Sequence, residues 1–299
     1  MGQGSSCWGC FQSTVDMHMK LAEVLPKLEI KYWAAVVDYK ISDLENYPDK
    51  SIDIGLYEGT ARTEDDVHLL KTFRAKCKTL VALGSCSVFG GVPGMANFFD
   101  FESCLDAKFR HEWADDGGRI PTDNVPPFIP ILKPNKDYVD IDVFLPGCPP
   151  EPKLIYTALT ALIEGKKLDL PPYAVCHYCS REKKETPLTD ILRPYQGVAD
   201  PKRCLLEQGY ICLGSATWGL CEGACVNKGT PCRGCYGPPP PIMQDQGAAV
   251  VGMLGTYAPL DPETLKKKVV DPLGTFWRFT YPTSFMGSIR LKREEVKSK

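Results

Sequence analysis

Residues 52–86 read IDIGLYEGTARTEDDVHLLKTFRAKCKTLVALGSC, and this stretch decides the fold. Its opening, IDIGLYEG (52–59), is a short apolar run closed by glycine, the pattern of a buried strand entering a turn. Thr63 and Asp66 then have the spacing of a capping box, and Glu64, Asp65 and Asp66 crowd the first turn of the helix that this box starts. Leu69, Phe73 and Cys77 recur four apart and give that helix one apolar face. TLVALG (79–84) is a second buried strand, and it delivers Cys86. Strand, helix and strand in this order form one parallel unit.

The same alternation continues outward. YVDIDVFLPG (138–147) reads as a further strand running into Cys148. The segment EPKLIYTALTALIEGK that follows reads as a helix, with Pro152 in the first turn, where a missing N–H costs little. On the N-terminal side a helix is expected from about Phe11 to Leu25. The fold class expected is α/β, a parallel sheet with helices on both faces, and ligands of such sheets gather beyond the carboxyl ends of the strands. Around residue 170 the texture changes: LDLPPYAVCHYC (168–179) opens a region with eight cysteines between 176 and 235. Two domains are expected, 1–170 and 171–299. YGPPPPIMQDQG (236–247) reads as a rigid linker or turn, and IRLKREEVKSK (289–299) as a solvated, partly frayed end.

Composition narrows the chemistry. The chain has 299 residues and a net charge of −2, which gives no general attraction to nucleic acid or anionic membrane. The apolar run GAAVVGMLGTYA (247–258) is too short to span a bilayer. The fourteen cysteines are the anomaly. The start MGQGSSCWGC has neither the basic flank nor the apolar core of a secretory signal, so a disulfide scaffold gives way to metal ligation.

Cys7 and Cys10, in SSCWGC, are two ligands without a nearby second pair. Cys86 and Cys148 each lie just past an expected strand end, and glycines beside them let the backbone approach a bulky inorganic core. Three loops at one sheet edge therefore bring Cys7, Cys10, Cys86 and Cys148 together, the four thiolates that a 4Fe–4S cluster needs. The competing readings are buried structural thiols, or zinc, whose sites combine short-spaced ligand pairs. The remaining cysteines of the second half divide into Cys176, Cys179, Cys204 and Cys212, and Cys221, Cys225, Cys232 and Cys235. Exchange of Cys204 and Cys221 gives the alternative division. Cys77, on the helix face, and Cys104 are left over and read as packing thiols.

The order SCWGC, Glu58–Gly59, LGSC, LPGCPP, CHYC and CRGC resembles the small, iron–sulfur subunit of nickel–iron hydrogenases over most of the chain to about residue 240. Within that family it is most similar to the cytoplasmic group 3 type, on the methyl-viologen-reducing, deazaflavin-non-reducing branch found in methanogens. The resemblance implies a flavodoxin-like domain with a proximal cluster on Cys7, Cys10, Cys86 and Cys148. A smaller irregular domain would hold a distal cluster on Cys176, Cys179, Cys204 and Cys212 and a medial cluster on Cys221, Cys225, Cys232 and Cys235. All three are expected as 4Fe–4S clusters.

The chain departs from its periplasmic relatives at Cys176, where they use histidine, so His177 is a decoy. It departs again at Cys225, where they carry a non-ligating residue beside a three-iron cluster. No twin-arginine leader precedes Cys7, so a cytoplasmic home is expected, and the strand before Cys7 is shortened or absent. Dihydrogen would be split at a nickel–iron centre in a separate large subunit. This chain would contribute electron exit and no catalytic residue, with Glu58, Gly59 and the Cys86–Gly91 loop lining the proximal cluster. The alternative for Glu58 is a strand-end carboxylate in solvent. The expected electron takers are an iron–sulfur, delta-type subunit and a flavin-containing heterodisulfide reductase. Rival readings are a single-cluster subunit of the complex-I type, the deazaflavin-reducing hydrogenase gamma subunit and a zinc-bound scaffold.

Overall fold

The computed structural model describes the chain except residues 35, 111–117, 241–244, 259–260 and 298–299. Four parallel strands form its sheet in the order β1 (Gly2–Gln3), β2 (Ile52–Glu58), β3 (Cys77–Leu83), β4 (Val143–Leu145). The helices are α1 (Gly9–Val15), α2 (Met19–Val24), α3 (Ile41–Asn46), α4 (Glu64–Lys76), α5 (Gly84–Phe89), α6 (Phe101–Phe109) and α7 (Pro152–Ile163). They continue with α8 (Gln246–Tyr257), α9 (Pro262–Lys268), α10 (Pro272–Phe276) and α11 (Phe285–Lys297).

The expected β2–α4–β3 unit is present. Thr63 Oγ1 accepts from the Asp66 N–H at 3.2 Å and the Asp66 carboxylate accepts from the Thr63 N–H at 2.9 Å, closing the capping box that starts α4. Leu70, Phe73 and Leu44 pack on one side of the sheet with Tyr57 and Leu80. Leu154, Ile155, Ala158 and Leu159 of α7 pack on the other with Val81, Leu83 and Leu145. Both faces of the sheet are thus covered, as its continuous apolar strands require. Leu220 and Tyr236, from the cysteine-rich second half, join this second cluster. A further core lies at the other end of the second half, where Val250 and Leu254 of α8 pack with Leu188, Leu213 and Phe276.

Registry places the site. Gln3 pairs with Glu58, Glu58 with Leu83, and Leu83 with Leu145, so all four strands end in one row. Cys7, Cys10, Cys86 and Cys148 all follow that row within a few residues. Beyond β1, the Met1 amino group donates to the Tyr32 carbonyl, which places Tyr32 beside the start of the chain.

Several expectations are corrected. The helix expected over Phe11–Leu25 is two helices, broken where His18 takes a φ of 51°. Cys77 is not on the helix face: it is the first residue of β3, because its backbone is already extended (φ −95°, ψ 138°). The strand expected over 138–147 pairs only at Val143–Leu145, since the chain leaves a one-turn helix at Asn135–Asp137 through a turn at Tyr138 and a bend at Val139. The segment 289–297 of the expected solvated end belongs to α11, whose start is tied back to Ser284 by the Gly287 and Ser288 N–H groups, and residues 298–299 lie outside the described residues. Of the expected linker, residues 241–244 lie outside the described residues, and Gln246 and Gly247 already belong to α8. Among the described residues no helix is long and apolar enough to cross a membrane.

Candidate iron–sulfur sites

Cys7 and Cys10 bracket the start of α1, where Trp8 takes a left-handed φ of 67° to turn the chain from β1 into the helix. Cys86 sits in the first turn of α5, not in a loop as expected, because Gly84 at φ 84° lets the helix begin directly after β3. Cys148 follows Gly147 in the turn between β4 and α7. The charges of Cys86 and Cys148 are felt at Cys10, and those of Cys148 and Cys7 at Cys86, so the four thiols face one another. Burial is the main reason that Cys86 is pushed up to about 12, and it also raises Cys10 and Cys148.

Small residues make the room. A Cβ on Gly84 would stand 2.2 Å from the Cys10 sulfur, and one on Gly91 would stand 2.6 Å from the Cys86 sulfur. No side chain fits at either position with these thiols in place.

Glu58 is fully buried, which corrects the solvent-facing alternative. Its Oε2 accepts from the Phe11 N–H at 3.1 Å and its Oε1 from the Ser6 hydroxyl at 3.1 Å. Burial nevertheless holds its carboxyl above the usual range, against the pull of these bonds. The carboxylate binds the Cys7–Cys10 turn to the end of β2.

Two residues that the sequence pattern does not single out fix the neighbouring loops. Asn135, fully buried, donates from Nδ2 to the Gly59 carbonyl at 3.0 Å and to Ser87 Oγ at 2.8 Å, joining the β2 turn to α5. Ser85 Oγ accepts from the Gly147 N–H at 3.1 Å and donates to the Cys235 carbonyl. Ser85 is legible only as the residue before Cys86, while Asn135 carries no signal at all in its polar surroundings.

In the second half, Cys176 feels Cys212, Cys204 and Cys179, and burial pushes it up to about 12. A Cβ on Gly214 would lie 3.3 Å from the Cys176 sulfur and 3.6 Å from the Cys212 sulfur, so both thiols face this glycine. Cys235 feels Cys232, Cys221 and Cys225. Cys176 also feels Cys232, and Cys232 feels Cys212 and Cys221, so the two expected groups of four adjoin and share neighbours. Hydrogen bonds link the cysteine-bearing segments: Ser85, beside Cys86, donates to the Cys235 carbonyl, and the Cys232 N–H donates to the Cys212 sulfur at 3.3 Å. Cys7, Cys176 and Cys225 are exposed as whole residues, although the Cys176 sulfur itself is desolvated, and all fourteen cysteines are free. Among the described residues no three His, Cys, Asp or Glu groups converge tightly enough to hold a single metal ion. His177 stacks on Tyr173, with ring centroids 4.1 Å apart. Cys77 is fully buried beside Gly55, and Cys104 lies half-buried on α6, apart from all three sets.

Residues 7–162 match the family described as NADH ubiquinone oxidoreductase, 20 Kd subunit. The chain belongs to this family, which includes the small subunits of nickel–iron hydrogenases. It is 38% identical over 281 residues to a subunit of the F420-non-reducing hydrogenase vhu of Methanococcus voltae, covering 94% of this chain and 93% of that one. It is 33% identical to the iron-sulfur subunit of the F420-non-reducing hydrogenase of Archaeoglobus profundus, covering 96% and 95%. Among solved structures, a chain of an NAD+-reducing nickel–iron hydrogenase in the H2-reduced state superposes with a TM-score of 0.52 at 28% identity, over 57% of this chain and 92% of that one. The α/β sheet and its edge are thus those of a hydrogenase small subunit.

Proposed function

We propose that the chain is the electron-transfer small subunit of a nickel–iron hydrogenase, conducting electrons from dihydrogen oxidation in a large subunit through three 4Fe–4S clusters. The observation that carries this reading is the pair of ties between cysteine-bearing segments, from Ser85 beside Cys86 to the Cys235 carbonyl and from the Cys232 N–H to the Cys212 sulfur. The donor chemistry fits: each set offers four soft thiolate ligands, and glycines 84 and 91 keep the space beside the first set clear. Cys7, Cys10, Cys86 and Cys148 would hold the proximal cluster, Cys221, Cys225, Cys232 and Cys235 the medial one, and Cys176, Cys179, Cys204 and Cys212 the distal one. When bound, the clusters supply one-electron carriers whose potentials respond to hydrogen bonds, charge and solvent.

The chain's own part is positional. Glu58 holds the Cys7–Cys10 turn, Asn135 and Ser85 hold the loops around Cys86 and Cys148, and Ser85 also ties this region to the carbonyl of Cys235. The domain division near residue 170 follows the same logic, with the sheet supplying the first set and the irregular second half the other two. Exposed Trp8 and Val92, next to Cys7 and Gly91, offer apolar surface to the large subunit. A cytoplasmic location, and an iron–sulfur delta-type subunit leading to heterodisulfide reductase as acceptor, complete the reading and rest on the resemblance to methanogen relatives. The deciding experiment is stepwise reduction of the purified complex under dihydrogen, followed by electron paramagnetic resonance. Three reducible cluster signals support the reading, and a colourless, redox-silent protein eliminates it.

A further inference from the structure

A concavity of about 620 Å³ opens on the second half of the chain, against the two segments that carry Cys212 and Cys232. Ile211 and Leu213, on either side of Cys212, form its inner wall together with Arg233, which lies between Cys232 and Cys235. The Leu213 N–H donates to the Cys232 carbonyl at 3.0 Å, so this wall is one tied unit. Arg193, from the 191–196 loop, and Arg278, which follows α10, stand at the sides.

The charge in this space is one-sided. Four cations line it, Arg193, Arg233, Lys268 and Arg278, against the single carboxylate of Asp271. Asp271 is engaged elsewhere, accepting from the Gly274 N–H at 2.9 Å as the cap of α10, and Lys268 is paired with Asp190 at 2.9 Å. Among the described residues Arg278 bonds through its Nε alone, to the Gly274 carbonyl. Neither Arg193 nor Arg233 has an ion-pair partner among the described residues. Three arginines from separate segments therefore line one opening, and the planar fork of arginine matches carboxylate groups two bonds at a time.

The rim distinguishes a protein surface from a small anion. Tyr195 and Val270 line the opening and are 76% and 69% exposed. Exposed aromatic and apolar residues interleaved with arginine are the composition of a protein-binding surface. A pocket built for a small ligand would instead enclose it.

We propose that this basic concavity docks an acidic, carboxylate-bearing segment of the protein that accepts electrons, holding it against the wall shared by the second and third thiol sets. The proposal rests on the electron-transfer reading for the role of the docked protein, and on the arginines alone for its chemistry.

The test uses the purified, cluster-loaded complex containing the full chain and a short fluorescein-labelled poly-L-glutamate followed by anisotropy. The wild type binds the polymer, and binding weakens steeply as salt rises. Arg193→Glu with Arg278→Glu weakens it by at least about tenfold, the loss of charge-assisted bonds to two guanidiniums. Arg193→Gln alone gives a smaller loss in the same direction and serves if the double variant does not fold. Iron content and the reduced paramagnetic spectrum stay at wild-type levels in the variants. No binding by the wild type, or equal binding by well-folded variants, overturns the proposal. So does inorganic pyrophosphate that binds more tightly than the polymer and displaces it, since the site is then one for small anions. Absence of clusters from the wild type removes the electron-transfer reading instead, and leaves the anisotropy result to stand by itself.

Discussion

The backbone N–H of Cys232 donates to the sulfur of Cys212 at 3.3 Å. This bond joins two cysteine-bearing segments twenty residues apart in sequence. Donation to sulfur is one of the means by which a protein tunes a thiolate-bound cluster. The Leu213 N–H to Cys232 carbonyl bond locks the same two segments.

Twelve thiols in three sets of four lead to a countable outcome. Chemical analysis of the loaded chain should return about twelve irons and about twelve sulfides, four of each per cubane cluster. Replacing Cys225 by proline should lower iron by about one and convert one signal to the three-iron type, because a cubane that loses a ligand sheds the iron it held. An unchanged spectrum rejects Cys225 as a ligand.

Gly84 is the tightest point of the first set. With φ at 84° and the Cys10 sulfur 2.2 Å from where its Cβ would be, Gly84→Ala has to displace either β3 or Cys10. The variant should lose one four-iron signal and melt well below the wild type. Gly165→Ala is the matched control: its φ is 64°, but nothing lies within 4 Å of the added methyl. It should cost only the left-handed backbone penalty, about 1–2 kcal/mol, and keep every cluster. Equal behaviour of the two variants refutes the close-approach role of Gly84.

Much of this site is legible in the amino-acid order. Short apolar strands ending in glycine and the Thr63–Asp66 box carry local physics, and local physics can be read from sequence. The breaks come where long-range packing overrides a local pattern. Cys77 continues a four-residue apolar rhythm, yet pairing with Ile52 pulls it into β3. The apolar content of 11–25 suits one helix, but the chain must turn at His18 after passing the sheet edge. A carboxylate at a strand end, such as Glu58, is usually solvated. Its burial depends on Ser6 and Phe11, more than forty residues away in sequence.

That burial makes Glu58 testable. Glu58→Ala leaves the Phe11 N–H and the Ser6 hydroxyl without their acceptor, at about 1–3 kcal/mol for each buried group left unpaired. Glu58→Gln keeps an acceptor oxygen and should recover most of the loss. Thermal melts of the two variants separate these outcomes. If alanine and glutamine melt alike, the hydrogen bonds contribute nothing and Glu58 acts only by filling space.

Cys77 separates a packing thiol from a ligand. Its side chain is fully buried among Leu44, Leu70 and Leu80, and the nearby Arg74 and Lys50 bond to its carbonyl rather than to its sulfur. Cys77→Ser puts a hydroxyl into that apolar space, at about 1–3 kcal/mol if it finds no partner. The melting temperature should fall while every cluster signal survives, and loss of a signal would mean that the thiol does more than pack.

Asp142 gives a pH dependence far from the thiols. It accepts from the Leu80 N–H at 2.7 Å and from Arg74 Nη1 at 2.6 Å, pinning the entry of β4 to β3 and α4. Partial burial opposes its charge, but these two donors outweigh it and hold the carboxyl below its usual range. A carboxyl lowered on folding stabilises the native state above its unfolded pKa of about 4 and loses that contribution as pH falls through the folded value. Its side chain is 44% exposed, so solvent screening limits the ion pair to at most about 1 kcal/mol. Asp142→Asn should therefore melt slightly below the wild type at neutral pH. The gap should narrow below about pH 4, where the wild-type carboxyl gains its proton. Melts across that range decide the matter: a gap that holds constant into acid assigns the loss to shape and hydrogen-bond geometry instead of charge.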